Sequence, residues 1–329
     1  MTLELLDAFR ANLLSPAVLF FFLGVLASVV RSDVRLPESL FAGLTIYLLA
    51  AIGFKGGVAI SNAGLGAVWL PTLAAMVLGA AIPLWTYPVA LKLGRMSHAD
   101  AAAVAAHYGS VSAVTFIAAS NYLTAIGQPF ENFAPTFLAV MESPAILVAV
   151  VLGKRGMHAE KGTGERLRMR ALVHETLFGK SIFLLIGGVI VGALSGQQGM
   201  VVMEPFFVTP FQGVLALFLL EMGIVAGKRI GELARVGPFL LVFGIVAPLV
   251  NGALGVGLGH LVGLQVGGAT LMGVLSASAS YIAAPAAVRV SLPDANPTLY
   301  LTASLAITFP FNITIGIPVY LAMARMLAG

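Results

Sequence analysis

GKRGMHAEKGTGERLRMRALVHETLFGK, residues Gly153 to Lys180, is the long polar stretch in a chain of 329 residues, and it lies close to the midpoint. Charges alternate along it among Gly156, Gly162 and Thr163. On either side the sequence breaks into apolar runs, each of about the 20 residues that a bilayer-spanning helix needs. Before it they fall at 15–31, 38–60, 66–91, 99–123 and 133–153; after it at 181–196, 206–227, 237–261, 266–289 and 298–325. Five spans on each side of a linker that starts and ends on one face of the membrane place the second half upside down relative to the first, an arrangement common among secondary transporters. The expected fold is all-α and polytopic: ten transmembrane helices as two inverted five-helix repeats, residues 1–153 and 181–329, joined by a linker at 154–180.

Composition points the same way. Of the residues, 59% are hydrophobic and 10% charged, against about a quarter charged in soluble domains. The charges cluster between the apolar runs, so they mark loops and cannot cover a water-facing surface. A net charge of +4 is explained first by cytoplasmic loops, and a nucleic-acid partner is not expected. There are no cysteines, which removes disulfides, thiolate zinc sites and thiol nucleophiles. Nor is there an HExxH, a GxSxG opening a helix, a Walker loop or a pair of intramembrane aspartates, so neither an intramembrane hydrolase nor an ATP-driven pump has its machinery. The chain reads as a non-enzyme. What precedes Ser15 carries Glu4, Asp7 and one arginine, Arg10. That is not the basic start of a cleaved signal peptide; Met1 to Leu14 is expected to lie at the interface.

With the linker in the cytoplasm, alternation assigns every loop. Arg31, Arg35, Lys92, Arg95, the linker's seven basic residues, Lys228, Arg229, Arg235 and Arg289 all fall inside, 15 of the 18 Lys and Arg residues. The outer loops around Ser61 to Gly64, Ile126 to Asn132, Gln197 to Glu204 and His260 to Gln265 contain none, as the positive-inside rule asks. Both termini are then outside. A trace of repetition accompanies the parity: at an offset of 170, Leu49, Gly53, Gly57 and Ile60 match Leu219, Gly223, Gly227 and Ile230. Val104, Ser110 and Ala113 match Val274, Ser280 and Ala283.

Non-helical backbone at membrane depth is tolerated where it lines a cavity or is buried in protein, so helix breaks point to sites. His107-Tyr108-Gly109-Ser110-Val111-Ser112-Ala113-Val114-Thr115 in the fourth run and Ser276-Ala277-Ser278-Ala279-Ser280-Tyr281-Ile282-Ala283-Ala284-Pro285 in the ninth are equivalent in the repeat. Each combines small residues with hydroxyls, and Gly109 and Pro285 readily interrupt a helix. Two such breaks meeting at midplane present helix N-termini to an anion; close packing of small residues is the competing explanation for each run. Glu142 lies in the fifth span, where an ionisable residue is costly and usually functional. A hard cation such as sodium compensates it, with oxygens from Glu142, Ser112, Thr115 and freed carbonyls. Asn312, at the same offset, is a neutral oxygen ligand. His107 is able to carry protons, although helix packing explains it as well. Lys55 and Glu221 either attract one another or lie near a cavity, and snorkelling also accounts for Lys55.

Val266 to Tyr320, with IGFKGGVAI, YGSVSAVT and MESPAIL, resembles the sodium-dependent bicarbonate transporter family of bacteria, often called SbtA, over nearly the whole chain. The resemblance implies sodium-coupled bicarbonate symport across the inner membrane. It also implies core and gate domains with crossed broken helices, as in bile-acid symporters, a homotrimer, and a PII-like regulator on the cytoplasmic face. It places the anion at Tyr108, Gly109, Ser110, Ser278, Ala279 and Ser280, and sodium near Ser112, Thr115, Glu142 and Asn312. The chain departs from the family pattern in having glutamate at 142 where aspartate is expected, and Ala113 and Val114 thin the hydroxyls after Ser112. The alternatives are symport of another small anion with sodium or protons, and a membrane sensor or anchor for a cytoplasmic protein.

Overall fold

The computed structural model describes residues 10, 13–161, 180–231, 233–281 and 283–329. Most of the linker, with Arg166, Arg168 and Arg170, and most of the expected interfacial segment lie outside the described residues. The described residues are helical and contain no strand. In chain order they form α1 (Pro16–Val29), α2 (Glu38–Ala63), α3 (Leu65–Lys92), α4 (His98–Gly109), α5 (Ala113–Ala125), α6 (Pro135–Lys161), α7 (Lys180–Phe207), α8 (Phe211–Ile230), α9 (Leu233–Leu261), α10 (Val266–Ala277), α11 (Ala283–Ser291) and α12 (Pro297–Ala328). The last is π-wound over Ala303–Thr308 and Asn312–Gly316.

Among the described residues, seven helical stretches are long and apolar enough to cross a membrane. They are Glu38–Ala63, Gly66–Lys92, His98–Ala125, Pro135–Glu160, Phe183–Phe207, Gly237–Leu261 and Pro297–Ala328. The fourth and ninth expected spans are each divided, α4 from α5 and α10 from α11, with the breaks inside the two hydroxyl-rich runs. The fifth outruns its expected end at 153 and continues to Lys161. The sixth, expected to end at 196, continues to Phe207 through a bend in α7 where Gly196 takes a positive φ of 55°. Gly237, at φ 80°, interrupts α9 one residue before Pro238.

Two bundles result. In one, α1, α2, α7 and α8 pack chiefly on each other; in the other, α3 to α6 pack with α9 to α12. Backbone contact through glycine builds the first. Gly53 and Gly57 of α2 lie against the backbone of Leu185 to Ala193, and Gly188 and Gly192 of α7 face back onto α2. Likewise Gly223 and Gly227 of α8 meet Phe21 to Ser28 of α1, where Gly24 returns the contact. No side chain fits between such helices, so dispersion over a close approach holds them where the bilayer supplies no hydrophobic drive. Ser15 caps α1 through Oγ to the Val18 amide, with Pro16 at the first turn. Ser97 caps α4 through the Asp100 amide at 3.0 Å, and Asp100 Oδ1 accepts the Asn296 amide at 2.7 Å, tying the starts of α4 and α12 together.

The outward faces of α1, α7 and α9 carry Phe22, Leu26, Val191, Leu194, Val202, Val242 and Val246 exposed, the surface a chain presents to lipid. This is a multi-pass membrane protein. At one end, Asn62, Thr124, Glu131, Gln197, Gln212 and Gln265 line a single cavity of about 960 Å³ between the bundles.

Candidate functional site

The divided helices meet inside the second bundle. α4 ends at Gly109, whose missing side chain lets the backbone rest on Pro83 and Ala145; close approach, not an unusual φ, is what glycine supplies there. Ser110 and Ser278 follow α4 and α10 in nearly the same extended conformation, φ −79° with ψ 167° and φ −78° with ψ 162°. The two breaks are joined by hydrogen bonds. The Ser280 amide donates to the His107 carbonyl at 2.8 Å, and the Ser112 amide donates to Ser278 Oγ at 2.8 Å, whose own proton goes to the Leu275 carbonyl at 2.7 Å. Backbone freed by one break is therefore satisfied by the other.

Each break also starts a helix. Ser112 Oγ caps α5 at the Thr115 amide (3.1 Å), accepts from Thr115 Oγ1 (2.9 Å) and donates to Tyr281 Oη (2.9 Å). Ser280 Oγ accepts the Ala284 amide at 3.2 Å. Pro285 sits in the first turn of α11, where a missing amide costs nothing. It begins the returning helix rather than making the break. The N-termini of α5 and α11 thus converge on the crossing, and Ser110 Oγ is buried beside it without a hydrogen-bond partner. A buried hydroxyl left unpaired is unfavourable unless something completes it.

Glu142 is brought to the same place by α6. With Ser112, Ser280 and Tyr281 it lines a cavity of about 10 Å³, walled on the other side by Leu49 of α2 and Leu185 of α7. The space is that of one water or one small ion. Glu142 is buried, 6% exposed, and no basic side chain of the described residues compensates its carboxylate. Pro144, two residues on, cannot bond back along α6 and leaves the Val140 carbonyl free of its helical partner.

The other expected residues take supporting positions. Thr115 reaches the crossing through Ser112. Asn312 is outside the Glu142 cavity: its Nδ2 donates to the Ala277 carbonyl at 2.8 Å and its Oδ1 accepts Tyr320 Oη at 3.0 Å, so it holds the last carbonyl of α10. Gly316 leaves room for that contact. Tyr108 is fully buried with its ring on Phe243, and its hydroxyl donates to Thr308 Oγ1 (2.7 Å), whose proton goes to the Gly244 carbonyl. It points to α9 and α12, away from Ser278 and Ser280. Ala279, buried at 3% exposure, lies between them. His107 donates from Nδ1 to the Ala103 carbonyl and packs its ring on Tyr300 at 4.4 Å, leaving Nε2 unpartnered. Lys55 and Glu221 do not meet, since Glu221 accepts the Leu36 amide at 3.1 Å.

Tyr281 is the residue that pattern reading passed over. It stands inside the hydroxyl-rich ninth run, but an aromatic in an apolar span reads as packing. Its hydroxyl beside Ser112 and Glu142 is visible only once the two breaks are set face to face.

A family profile described as the Na+-dependent bicarbonate transporter superfamily matches residues 16–325. A sequence comparison with curated proteins finds no match.

Proposed function

Because the chain belongs to the Na+-dependent bicarbonate transporter superfamily, we propose that it is a secondary active symporter that carries bicarbonate with sodium across the bacterial inner membrane by alternating access. The observation that carries this reading is the crossing itself. Two helix N-termini, an unpaired Ser110 hydroxyl and an uncompensated Glu142 converge within the membrane, a donor set suited to one anion and one hard cation side by side.

The anion is received among Ser110, Ser278, Ala279 and Ser280, with the α5 and α11 amide ends stabilising its charge; Gly109 and Tyr108 hold α4 in place behind it. Sodium is received at Glu142, with Ser112, Ser280 and Tyr281 as neutral oxygens. Thr115 fixes Ser112, and Asn312 fixes the end of α10. Each ion lowers the cost of desolvating the other, which is a physical basis for obligatory coupling.

The ten-span, inverted-repeat reading places 1–153 and 181–329 as the halves, both termini outside and the linker in the cytoplasm. It is supported by the glycine contacts, in which α2 uses Gly53 and Gly57 against α7 as α8 uses Gly223 and Gly227 against α1. The α1, α2, α7, α8 bundle acts as the gate and the other as the moving core. The large cavity opens on the side whose loops lack basic residues, so the conformation is outward-facing. The resemblance also gives a homotrimer and a PII-like regulator on the cytoplasmic face, to be tested by cross-linking in native membranes.

One sodium per bicarbonate is electroneutral, and a tenfold sodium gradient, about 1.4 kcal/mol, then sustains about tenfold accumulation. The test is uptake of labelled bicarbonate into proteoliposomes. A sodium-directed gradient accelerates it at least tenfold; equal uptake without sodium overturns the coupling, and full displacement of label by an unrelated small anion at lower concentration overturns the substrate.

A further inference from the structure

The large cavity between the bundles has a chemistry that the crossing does not use. We propose that Lys55 anchors a separate docking site there for a small monovalent oxyanion, occupied before the anion reaches the crossing. The identity of that anion as bicarbonate rests on the transport reading above; the site does not.

Lys55 is the one basic side chain among the described residues lining the cavity. Its Nζ lies 4.0 Å from the centroid of the Phe211 ring, and no carboxylate of the described residues pairs with it. The other charged residue in the lining, Glu131, does not pair with Lys55: its Oε1 accepts the Gln265 amide at 2.7 Å at the start of α10, and its Oε2 is buried without a hydrogen-bond partner. A half-buried ammonium with only an aromatic face for company lacks a counter-ion. Snorkelling does not relieve it. Eight residues, about 12 Å of helix, separate Lys55 from Ala63 at the end of α2, farther than a lysine side chain extends.

The surroundings suit an oxyanion. Asn62 Nδ2 donates to Gln197 Oε1 at 3.2 Å, and Asn121 and Gln212 exchange hydrogen bonds of 3.0 and 2.8 Å across the bundles. These amide groups supply neutral donors along the cavity wall. A single ammonium with neutral donors matches one negative charge; a dianion has no second cation there. Lys55 also stands six residues from Leu49, which walls the Glu142 cavity. That is about 9 Å along α2, so the docked anion is one short step from the crossing and its local concentration there is raised.

The experiment reads Lys55 directly. Full-length protein in nanodiscs is acetylated with an N-hydroxysuccinimide ester at fixed pH in potassium bicarbonate or in potassium gluconate of equal ionic strength. The Lys55 and Lys92 peptides are followed by mass spectrometry. Bicarbonate slows acetylation of Lys55 at least threefold and leaves Lys92 unchanged; equal rates at Lys55 overturn the proposal. In proteoliposomes, Lys55→Gln raises the KM for bicarbonate about tenfold with kcat within twofold, and Lys55→Arg stays within threefold of the parent KM. An unchanged KM in Lys55→Gln, or the same loss in Lys55→Arg, overturns it as well. Protection of Lys55 in a protein that shows no bicarbonate uptake supports the docking site while removing the transport reading. Uptake that persists with neither protection nor a KM change removes the docking site alone.

Discussion

Glu142 is where a single side chain carries the most consequence. The carboxylate of a residue that is 6% exposed, with no basic partner, is unfavourable when charged unless a cation joins it. On the proposed reading, sodium at a hundred times its dissociation constant is expected to stabilise the protein by about 2.7 kcal/mol, measured as a rise in thermal midpoint on adding sodium. Glu142→Gln is expected to abolish that rise, leave the sodium-free midpoint equal or higher, and cut sodium-driven uptake more than tenfold. A sodium-induced shift that survives in Glu142→Gln would place the cation elsewhere. Tyr281→Phe keeps the ring and removes the hydroxyl that accepts from Ser112. One lost hydrogen bond of about 1 kcal/mol corresponds to a fivefold weaker apparent sodium affinity, measured as half-maximal sodium for uptake. Glu142 was legible in the sequence because charge is so rare within these spans. Tyr281 was not, because hydrogen bonding between residues 169 apart leaves no periodic mark.

At the scale of elements, glycine rather than apolar bulk sets which helices touch. Gly57 and Gly192 place the backbones of α2 and α7 in direct contact, and a side chain at either has backbone, not a flexible tip, in its way. Gly57→Leu should destabilise the protein by more than about 3 kcal/mol, read as a lower thermal midpoint in nanodiscs. Gly43, which has open space around it, should accept alanine within about 0.5 kcal/mol. Repetition at an offset of 170 drew attention to Gly53, Gly57, Gly223 and Gly227, and their partners proved to be Gly188, Gly192 and Gly24. Gly188 and Gly192 lie on α7 and Gly24 on α1, and the offset of 170 does not relate them to one another: it sets Gly24 against Leu194. The breaks in the fourth and ninth runs were legible from their hydroxyls and small residues. Their assigned causes were only partly so: Gly109 acts through its closeness to Pro83, and Pro285 opens the helix that follows the break.

The whole molecule is two bundles with a water-accessible gap between them, and transport on this reading is their relative movement. Asn121 of α5 and Gln212 of α8 join the bundles across that gap, and the absence of cysteine gives a clean background for testing it. The pair Asn121→Cys and Gln212→Cys, bridged by a short bis-thiol cross-linker with a reducible centre, should stop uptake, and reduction should restore it. Uptake undiminished by complete cross-linking would show that these two helices keep their separation through the cycle. The sequence by itself determined that the chain lives in a bilayer, where its polar breaks lie and that Glu142 stands among apolar residues. Composition and run length state the solvent of each segment directly, since hydrocarbon admits little charge and no unpaired backbone. Only the tertiary structure decided that Ser112 meets Ser278 and Tyr281, that Asn312 braces α10 while Glu142 faces a cavity, and that Lys55 stands unpaired in the gap. Those facts depend on helix rotation and crossing, which short-range sequence patterns do not encode and which the packing of distant helices fixes.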